Sequence, residues 1–468
     1  MGDAPRTIVV MQSISAYLPP RWQPLLPAFE ERFLCHLLGL ASRGTHVVYV
    51  TSMPVHPRLV DYWLSLVPGL DTAETRARLT LVPVVDARPL PLTRKVRDHP
   101  GVIRRIRAAV TDPACAVTVA HTVTEDDLDV ARRLGVPVYG AHPRFAHWGT
   151  KSGSREAFGA AGVPMAPGVT GVRTIEDVAA AIESLRTADP GLRRVIVKLD
   201  EGAGGIGNGT IDLDDRPARQ QCDALELEEP EVTAEAYYEH LEREGGVVEA
   251  FLLGEEVRSP SVQLRMTPHG STEVLATHEQ LLGGRHGLTY LGCTMPAAAD
   301  YAAVIADQAL AVGSRLVAAG VVGRCSIDFL AVRHGATWTT YASEINLRAG
   351  GTTHPLATLA ALTHGGYDLA SASFLSRDGT PKYYRATDHL QSEAYAALTT
   401  DDLLDLLPEA GLGWDHESQT GVVFHMVSAI GGTGNVGLTA VGDSPDAATV
   451  LFERARSALD AAASALRE

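Results

Sequence analysis

The stretch "EINLRAGGTTHP", residues 344–355, decides the fold class of this chain. Successive side chains of a strand point to opposite faces, so Glu344, Asn346 and Arg348 would share one face. The apolar residues between them would face a core. An acid, an amide and a guanidinium on one face are costly to bury unless a ligand needs them there. A half-exposed strand whose polar face meets water is the alternative.

The segment before it contains a second polar residue in an apolar strand. "CSIDFLAV" places Asp328 among apolar neighbours, and the turn "RHGATW" would join the two strands as an antiparallel pair. Two carboxylates and an amide would then meet, and Mg²⁺ takes such oxygen ligands together with substrate phosphates and water. The spacing therefore favours a metal site at Asp328, Glu344 and Asn346. For Asp328 alone, a buried acid paired with an arginine is an equal alternative.

A glycine-rich loop lies further upstream, in "VIVKLDEGAGGIGNG" at residues 195–209. Glycines let backbone N–H groups surround phosphate oxygens, and Lys198 adds a point charge at the end of a strand. A strand follows the loop, which argues against a Rossmann fingerprint, and no Walker A motif occurs. The loop therefore favours phosphate binding, with a ligand-free mobile hairpin as the alternative.

Composition excludes several classes of protein. The chain has 468 residues, 45% hydrophobic and 21% charged, which suits a globular protein of roughly three or four domains. A net charge of −16 and the absence of a Lys/Arg-rich run argue against nucleic acid or an anionic membrane as partner. Five scattered cysteines without a C-x-x-C pair predict neither a disulfide framework nor a zinc site. No signal-like or membrane-spanning apolar run occurs, so we expect a cytoplasmic protein.

Patterning predicts four domains. Alternating strands and helices before about residue 145 predict a parallel sheet, with a helix at 28–42 and a capping box formed by Thr124 and Asp127. A helix capped by Thr233 and ended by Gly245 is predicted further on. "GGTGNVG" (431–437) is interpreted as a hairpin turn rather than a phosphate loop. The predicted domains are residues 1–146, 147–252, 253–370 and 371–468.

Several of these segments carry a family resemblance. Lys151 before a helix ending in "AGVP", then "VIVK", "VVEAFLLGEE", "IDF" and "EINLRAGG", follow the order seen in ATP-grasp ligases such as D-alanine–D-alanine ligase and biotin carboxylase. "FEERFLCHLL", "HWGTKSGSREAF" and the C-terminal part extend the resemblance to actinomycete peptide ligases of the pheganomycin-biosynthesis family. The resemblance implies an α/β (α+β ATP-grasp) fold with an N-terminal parallel-sheet domain, a two-lobed core and a small α+β C-terminal domain.

The resemblance also implies roles for single residues. The group expected to bind ATP comprises Lys151, Lys198, Gly204, Gly205, Gly207, Glu249, Ala250, Phe251, Leu252 and Glu256. Magnesium would be held by Asp328, Glu344 and Asn346, and catalysis assigned to Arg348 and Lys198. The residues expected to bind substrate are Arg348, Arg285, Arg258, Gly351 and Thr352. Ala250 departs from the lysine often found in the hinge. Ser326 stands where many members have an arginine, which leaves the role of Arg324 open.

The activity that this resemblance implies is amide formation with ATP and Mg²⁺ as cofactors. A carboxylate, of a guanidino-type amino-acid derivative by resemblance, would become an acyl phosphate that the N-terminal amine of a peptide attacks. Residues 278–292 would form a lid that excludes water, although Arg285 is as compatible with a plain surface position. Arg258 equally suits a solvated strand. His354 is interpreted as a turn residue, because no second His or Cys lies at ligand spacing.

The sequence is compatible with two other functions: a kinase on the same scaffold, and a nucleotide-binding regulatory protein without turnover. The expected partners are a small carboxylic acid and a peptide, and a homodimer is compatible with the sequence.

Overall fold

The computed structural model describes residues 6–15, 20–202 and 207–466. Its first sheet is entirely parallel, with the strand order β3-β2-β1-β4-β5. Valine-rich strands such as 47–50 are buried because helices cover both faces of the sheet. The strands are β1 (Arg6–Val10), β2 (Thr45–Thr51), β3 (Leu79–Pro83), β4 (Ala116–Val119) and β5 (Val138–Tyr139). The helices are α1 (Leu26–Glu31), α2 (Pro57–Ser65), α3 (Ala73–Arg76), α4 (Leu92–Asp98), α5 (Pro100–Ala109) and α6 (Glu125–Leu134).

The predicted continuous helix at 28–42 is wrong. Helix α1 ends at Glu31, and a 3₁₀ helix covers Leu34–Ala41. The hydroxyl of Tyr49 donates to the main-chain oxygen of Glu30 at 2.6 Å, where a continuing α-helix would place its own bond. The predicted capping box is confirmed: the Thr124 side chain accepts from Asp127 N at the start of α6.

A second, antiparallel sheet of five strands follows, in the order β6-β10-β7-β8-β9. Its strands are β6 (Gly168–Val172), β7 (Arg194–Leu199), β8 (Asn208–Asp212), β9 (Glu226–Leu227) and β10 (Gly246–Ala250). Its helices are α7 (Lys151–Ala161), α8 (Ile175–Ala188), α9 (Ala218–Gln221) and α10 (Ala234–Glu244). Helix α7 ends at Gly162 in the left-handed region, and Thr233 caps α10, both as predicted.

The remaining strands form one large antiparallel sheet that continues into the C-terminal part, because β14 pairs with β19. Its strands are β11 (Glu256–Arg258), β12 (Pro260–Met266), β13 (Thr272–Gly283), β14 (Thr289–Met295), β15 (Gly323–His334), β16 (Thr337–Asn346), β17 (Gly366–Asp368), β18 (Ser373–Leu375), β19 (Pro381–Gln391), β20 (Gly421–His425) and β21 (Asn435–Gly442). The helices are α11 (Ala299–Ala318), α12 (Thr353–Thr363), α13 (Thr400–Glu409), α14 (Ile430–Thr433) and α15 (Pro445–Ala465).

The predicted hairpin around residues 431–437 is present as the antiparallel pair β20–β21. Its connection is a helical segment containing α14 rather than a tight turn. None of the helices within the described residues has the length and apolar character needed to cross a membrane.

The two ends of the chain share a hydrophobic core. Leu34 and Trp63 from the N-terminal part are buried in the same cluster as Leu403, Phe424 and Phe452. Burial of this kind stabilises a structure roughly in proportion to the apolar area removed from water. The core therefore fixes the C-terminal helices against the N-terminal sheet, and both ends reach the cavity described next.

Candidate active site

A cavity of about 870 Å³ lies between the second sheet and the large sheet. One end is lined by the segment that leaves β10, Ala250 to Gly254. The middle is lined by the ends of β7, β15 and β16, and the far end by Arg32, Asp388 and His389. Its wall therefore combines an apolar end, a charged centre and a second charged end.

The three predicted metal residues meet at the centre of this cavity. Asp328 lies directly opposite Glu344 in the β15–β16 ladder, and Asn346 Nδ2 donates to Asp328 Oδ2 at 2.9 Å. Burial, reinforced by the Glu344 carboxylate, raises the pKa of Asp328 to about 7. Two half-buried carboxylates that repel one another fit a divalent cation, because a cation would offset the charge of both. The donor set thus suits magnesium, and that assignment stays a prediction.

Two lysines face the same centre. Lys151, the first residue of α7, is buried with its Nζ 2.7 Å from Glu344 Oε1 and 2.9 Å from the Gly202 oxygen. Lys198, near the end of β7, has its Nζ 2.7 Å from Glu249 Oε2 and 3.3 Å from Ser343 Oγ. Both lysines line the cavity, so the structure brings the two predicted phosphate-binding cations beside the predicted metal ligands.

Glu249 has a role that sequence reasoning missed. Its side chain is buried between Lys198 and Arg155, whose Nη1 lies 2.6 Å from Glu249 Oε1. Although burial acts to raise it, these two cations hold the pKa of Glu249 below its ordinary value. Glu249 therefore fixes Lys198 in place. Ala250, Phe251 and Leu252 line the cavity as the predicted hinge requires.

Other predicted ATP-binding residues are placed differently. Glu256 is bonded to the Nε atoms of Arg258 at 2.6 Å and Arg333 at 3.2 Å and does not line the cavity. Its ribose role thus stays a prediction without support from its position. Gly207 accepts a main-chain bond from Leu199 at 2.9 Å. Gly204 and Gly205 lie outside the described residues.

The predicted substrate residues divide into two groups. Arg348 is half-buried in the cavity wall, and its Nη2 donates to Asn346 Oδ1 at 2.8 Å. Burial lowers the pKa of Arg348 from its usual value, while Glu344 and Asp328 act in the opposite direction. The cavity is also lined by Arg258, Gly351 and Thr352. Arg285 is exposed and does not line the cavity. Arg324 is half-buried and does not line the cavity.

The predicted lid is a hairpin made by β13 and β14. At its tip, His286 N lies 2.9 Å from Glu228 Oε2 and Thr289 Oγ1 lies 2.7 Å from Glu228 Oε1. Glu228 follows β9 of the second sheet. Hydrogen bonds to a charged partner of this kind contribute about 1.5–3 kcal/mol each. The hairpin is therefore latched onto the opposite side of the cavity by Glu228, and the His286 ring lies 3.7 Å from a second carboxylate, that of Glu226.

The far end of the cavity contains functional candidates that the sequence did not reveal. Arg32 Nη1 lies 2.7 Å from Asp388 Oδ2, and His425 Nε2 lies 2.7 Å from Asp388 Oδ1. His354 Nε2 lies 3.2 Å from the same oxygen. The interpretation of His354 as a turn residue is wrong, because His354 lies in helix α12. His354, Asp388 and His425 place one possible metal-ligand atom each within 4.8 Å of one another, although they are far apart in sequence. Charged residues inside the apolar segment "AFEERFL" were the one available signal.

Comparison with protein families agrees with this geometry. The family model described as IQCH-like, ATP-grasp matches residues 143–234 and 232–352, and the model of the PGM1 C-terminal domain matches residues 402–455. L-propargylglycine–L-glutamate ligase of Streptantibioticus cattleyicolor is 33% identical over 445 residues, which cover 93% of this chain and 90% of that protein.

Solved structures show the same fold. The biotin carboxylase of Campylobacter jejuni, in complex with a β,γ-ATP analogue, has a TM-score of 0.58 at 13% identity, covering 100% of this chain and 96% of that one. The ADP complex of N5-carboxyaminoimidazole ribonucleotide synthetase has a TM-score of 0.54 at 12% identity, with 97% of each chain covered. At such identities the likeness concerns the fold alone.

Proposed function

The chain belongs to the family of ATP-grasp ligases that includes L-propargylglycine–L-glutamate ligase, and from this premise we propose that it joins a carboxylic acid to the amine of an amino acid or peptide through an acyl phosphate. The observation that carries the proposal is the convergence of Asp328, Glu344 and Asn346 with Lys151 and Lys198 in one cavity. This set combines metal-type ligands with phosphate-type cations.

The chemistry follows from the charges at this site. A carboxylate does not react with an amine at neutral pH, because its oxygen is a poor leaving group. Transfer of the γ-phosphoryl group of ATP to that oxygen releases ADP. The amine then attacks the acyl carbon, phosphate leaves with the C–O bond pair, and the amine loses a proton. Magnesium, when bound, would offset charge on the phosphoryl oxygens.

The chain's own residues would serve this sequence in distinct ways. Lys151 and Lys198 would bind phosphate oxygens, and Arg348 would offset the charge of the transferring group. The hairpin latched by Glu228 would keep water from the acyl phosphate, whose hydrolysis would waste ATP. The apolar segment after β10 would receive the adenine ring.

The substrates are proposed from the relatives. The ligase of Streptantibioticus cattleyicolor is named for two L-amino acids. The pheganomycin-type resemblance suggests a guanidino-type acid and a peptide amine. We therefore propose an L-amino acid or its guanidino derivative as the acid, and an amino acid or peptide as the amine.

The experiment is product analysis with ATP, Mg²⁺, hydroxylamine and a set of acids that includes L-propargylglycine and guanidinoacetate. ADP and phosphate that form only with an acid, together with its hydroxamate, are expected. Asp328→Asn, which preserves the side-chain shape but removes a carboxylate, is the control variant and should lose the acid-dependent release of ADP. AMP and pyrophosphate would refute the acyl-phosphate route, and acid-dependent ADP without any hydroxamate would favour a kinase.

A further inference from the structure

A guanidinium from the N-terminal part of the chain lies in the wall of the cavity. The Arg32 side chain is 7% exposed, and its Nη1 is bonded to Asp388. Its Nε is buried and has no hydrogen-bond partner among the described residues. Buried donors without a partner are uncommon in folded proteins. The rings of Phe29 and Phe33, each 5.2 Å from the guanidinium carbon, cover other parts of it. Arg32 therefore has bonding capacity that the protein does not use.

Asp388 holds this guanidinium, and two buried histidines, His354 and His425, lie against Asp388. We call His354, Asp388 and His425 the histidine–aspartate support. Asp388 is 4% exposed; one of its carboxylate oxygens is bonded to Arg32 and the other to His425 Nε2 at 2.7 Å. His354 Nε2 lies 3.2 Å from that second oxygen without hydrogen-bond geometry. Although burial acts to raise it, His354 and Arg32 hold the pKa of Asp388 well below its ordinary value. A fixed carboxylate of this kind orients a guanidinium more firmly than water does.

The support also has the ligand types of a metal site, so the two roles must be weighed. Asp388 is already bonded to the full positive charge of Arg32 at 2.7 Å. A divalent cation beside the other oxygen of the same carboxylate would repel that guanidinium at low dielectric. Without a metal ion, the negative charge of Asp388 is balanced by the positive charge of Arg32. The geometry therefore favours a support for Arg32 over a metal centre.

A second cation, Arg348, lines the same cavity as Arg32. The backbone N–H of Ala349, which follows Arg348, donates to the main-chain oxygen of His121 at 3.0 Å. The His121 ring lies 6.0 Å from the ring of Phe33, which follows Arg32. Two cations that line the same cavity repel one another unless an anion lies between them. Arg348 contacts Asn346, so such an anion would lie beside the proposed site of phosphoryl transfer.

We propose that Arg32 binds the carboxylate of the acid substrate, and that the histidine–aspartate support positions its guanidinium. The inference rests on the proposed ligase function and extends it, because it gives the two ends of the chain a shared part in binding the acid. The amine substrate is not required for this contact.

Calorimetric titration of the purified full chain tests the binding step. The probes are L-propargylglycine and guanidinoacetate, each titrated with Mg²⁺ and a non-hydrolysable ATP analogue present. Arg32→Ala is expected to weaken binding of the acid by about 10- to 100-fold, as the loss of a charge-assisted hydrogen bond would. Arg32→Lys should be intermediate, since lysine keeps the charge without the planar fork. Arg265→Ala, which removes an exposed arginine paired with Glu273, is the matched control and should bind as the wild type does.

The hydroxamate assay tests which substrate Arg32 serves, because hydroxylamine replaces the amine substrate. Arg32→Ala and Asp388→Asn are expected to raise KM for the acid far more than they lower kcat, with affinity for MgADP unchanged. Unchanged affinity for MgADP also shows that a variant is folded. If Arg32→Ala does not fold, the KM of Arg32→Lys for the acid tests the contact instead. A raised KM only for a peptide amine would overturn the inference.

The two proposals fail in different ways. If the wild type binds an acid in calorimetry and Arg32→Ala does not, yet no hydroxamate forms, the ligase proposal fails and the Arg32 contact stands. If Arg32→Ala binds the acid as tightly as the wild type, or if neither probe acid binds the wild type, the Arg32 contact fails. Stoichiometric zinc or iron in the purified protein that disappears in His425→Ala would overturn the role of the support.

Discussion

Replacing Glu249 by glutamine tests whether one buried carboxylate fixes Lys198, the lysine proposed to bind phosphate. Glu249 lies 2.6 Å from Arg155 Nη1 and 2.7 Å from Lys198 Nζ, and all three side chains are at most 10% exposed. Glu249→Gln leaves two buried cations without an anion. Breaking a buried ion pair in this way destabilises a protein by about 3–5 kcal/mol. We expect a loss in that range.

Replacing Lys198 by methionine should have a much smaller effect on stability. Arg155 remains paired with Glu249, so the cluster passes from three charges to a neutral pair. We expect a loss of about 1 kcal/mol, mainly from one hydrogen bond. In Lys198→Met/Glu249→Gln, one buried cation remains instead of two, so the double variant should be more stable than Glu249→Gln alone.

Urea unfolding followed by circular dichroism measures these free energies of unfolding. Titration with MgADP measures the contribution of Lys198 to nucleotide binding, which is its proposed function. Lys198→Met should lose nucleotide affinity while nearly keeping its stability. If Lys198→Met is as unstable as Glu249→Gln, or if the double variant is the least stable of the three, the proposed charge arrangement is incorrect.

Three further predictions concern other contacts. Burial raises the pKa of Glu31 to about 7, although the backbone N–H of Ser428 donates to its carboxylate. The folded state therefore favours the protonated side chain, and this contribution to the free energy of unfolding is lost as pH rises through that pKa. Urea unfolding of Glu31→Gln should therefore show stabilisation on the order of 3 kcal/mol near pH 8.5 and little near pH 5, and equal effects at both would contradict this. A Cβ at Gly351 would lie 2.8 Å from the Tyr290 ring, so Gly351→Ala should raise KM for the acid, and Gly351→Ala/Tyr290→Ala should restore part of it; no change in KM would show that the ring yields freely. Glu228→Ala should unlatch the hairpin and raise the ratio of ADP released to amide formed, whereas a ratio equal to that of the wild type would refute the latch.

The centre of the site could be predicted because its residues are close in sequence. Asp328, Glu344 and Asn346 belong to two strands joined by a short turn, and strand periodicity alone places them on one face. The far end could not be predicted in this way. Arg32 and Asp388 are separated by 356 residues, and only the shared core of the two chain ends brings them together.

Side-chain direction was the other limit of sequence reasoning. Glu256 and Arg285 belong to the expected segments, yet Glu256 is bonded to Arg333 and Arg285 is exposed. Those outcomes depend on partners from other strands, which local patterns do not encode. Helix α1 ends at Glu31 for a similar reason, because Tyr49, whose hydroxyl bonds to the Glu30 oxygen, belongs to strand β2.

The bond between Arg32 and Asp388 also bears on how such ligases can be recombined. A chimera that takes only one end of this chain from a relative keeps one partner of the Arg32–Asp388 pair and replaces the segment that contains the other. Exchanging both ends as one unit, around an unchanged proposed nucleotide site, does not separate the two positions. On the proposed role of Arg32, the design of a new acid specificity would treat the two ends of the chain as a single module.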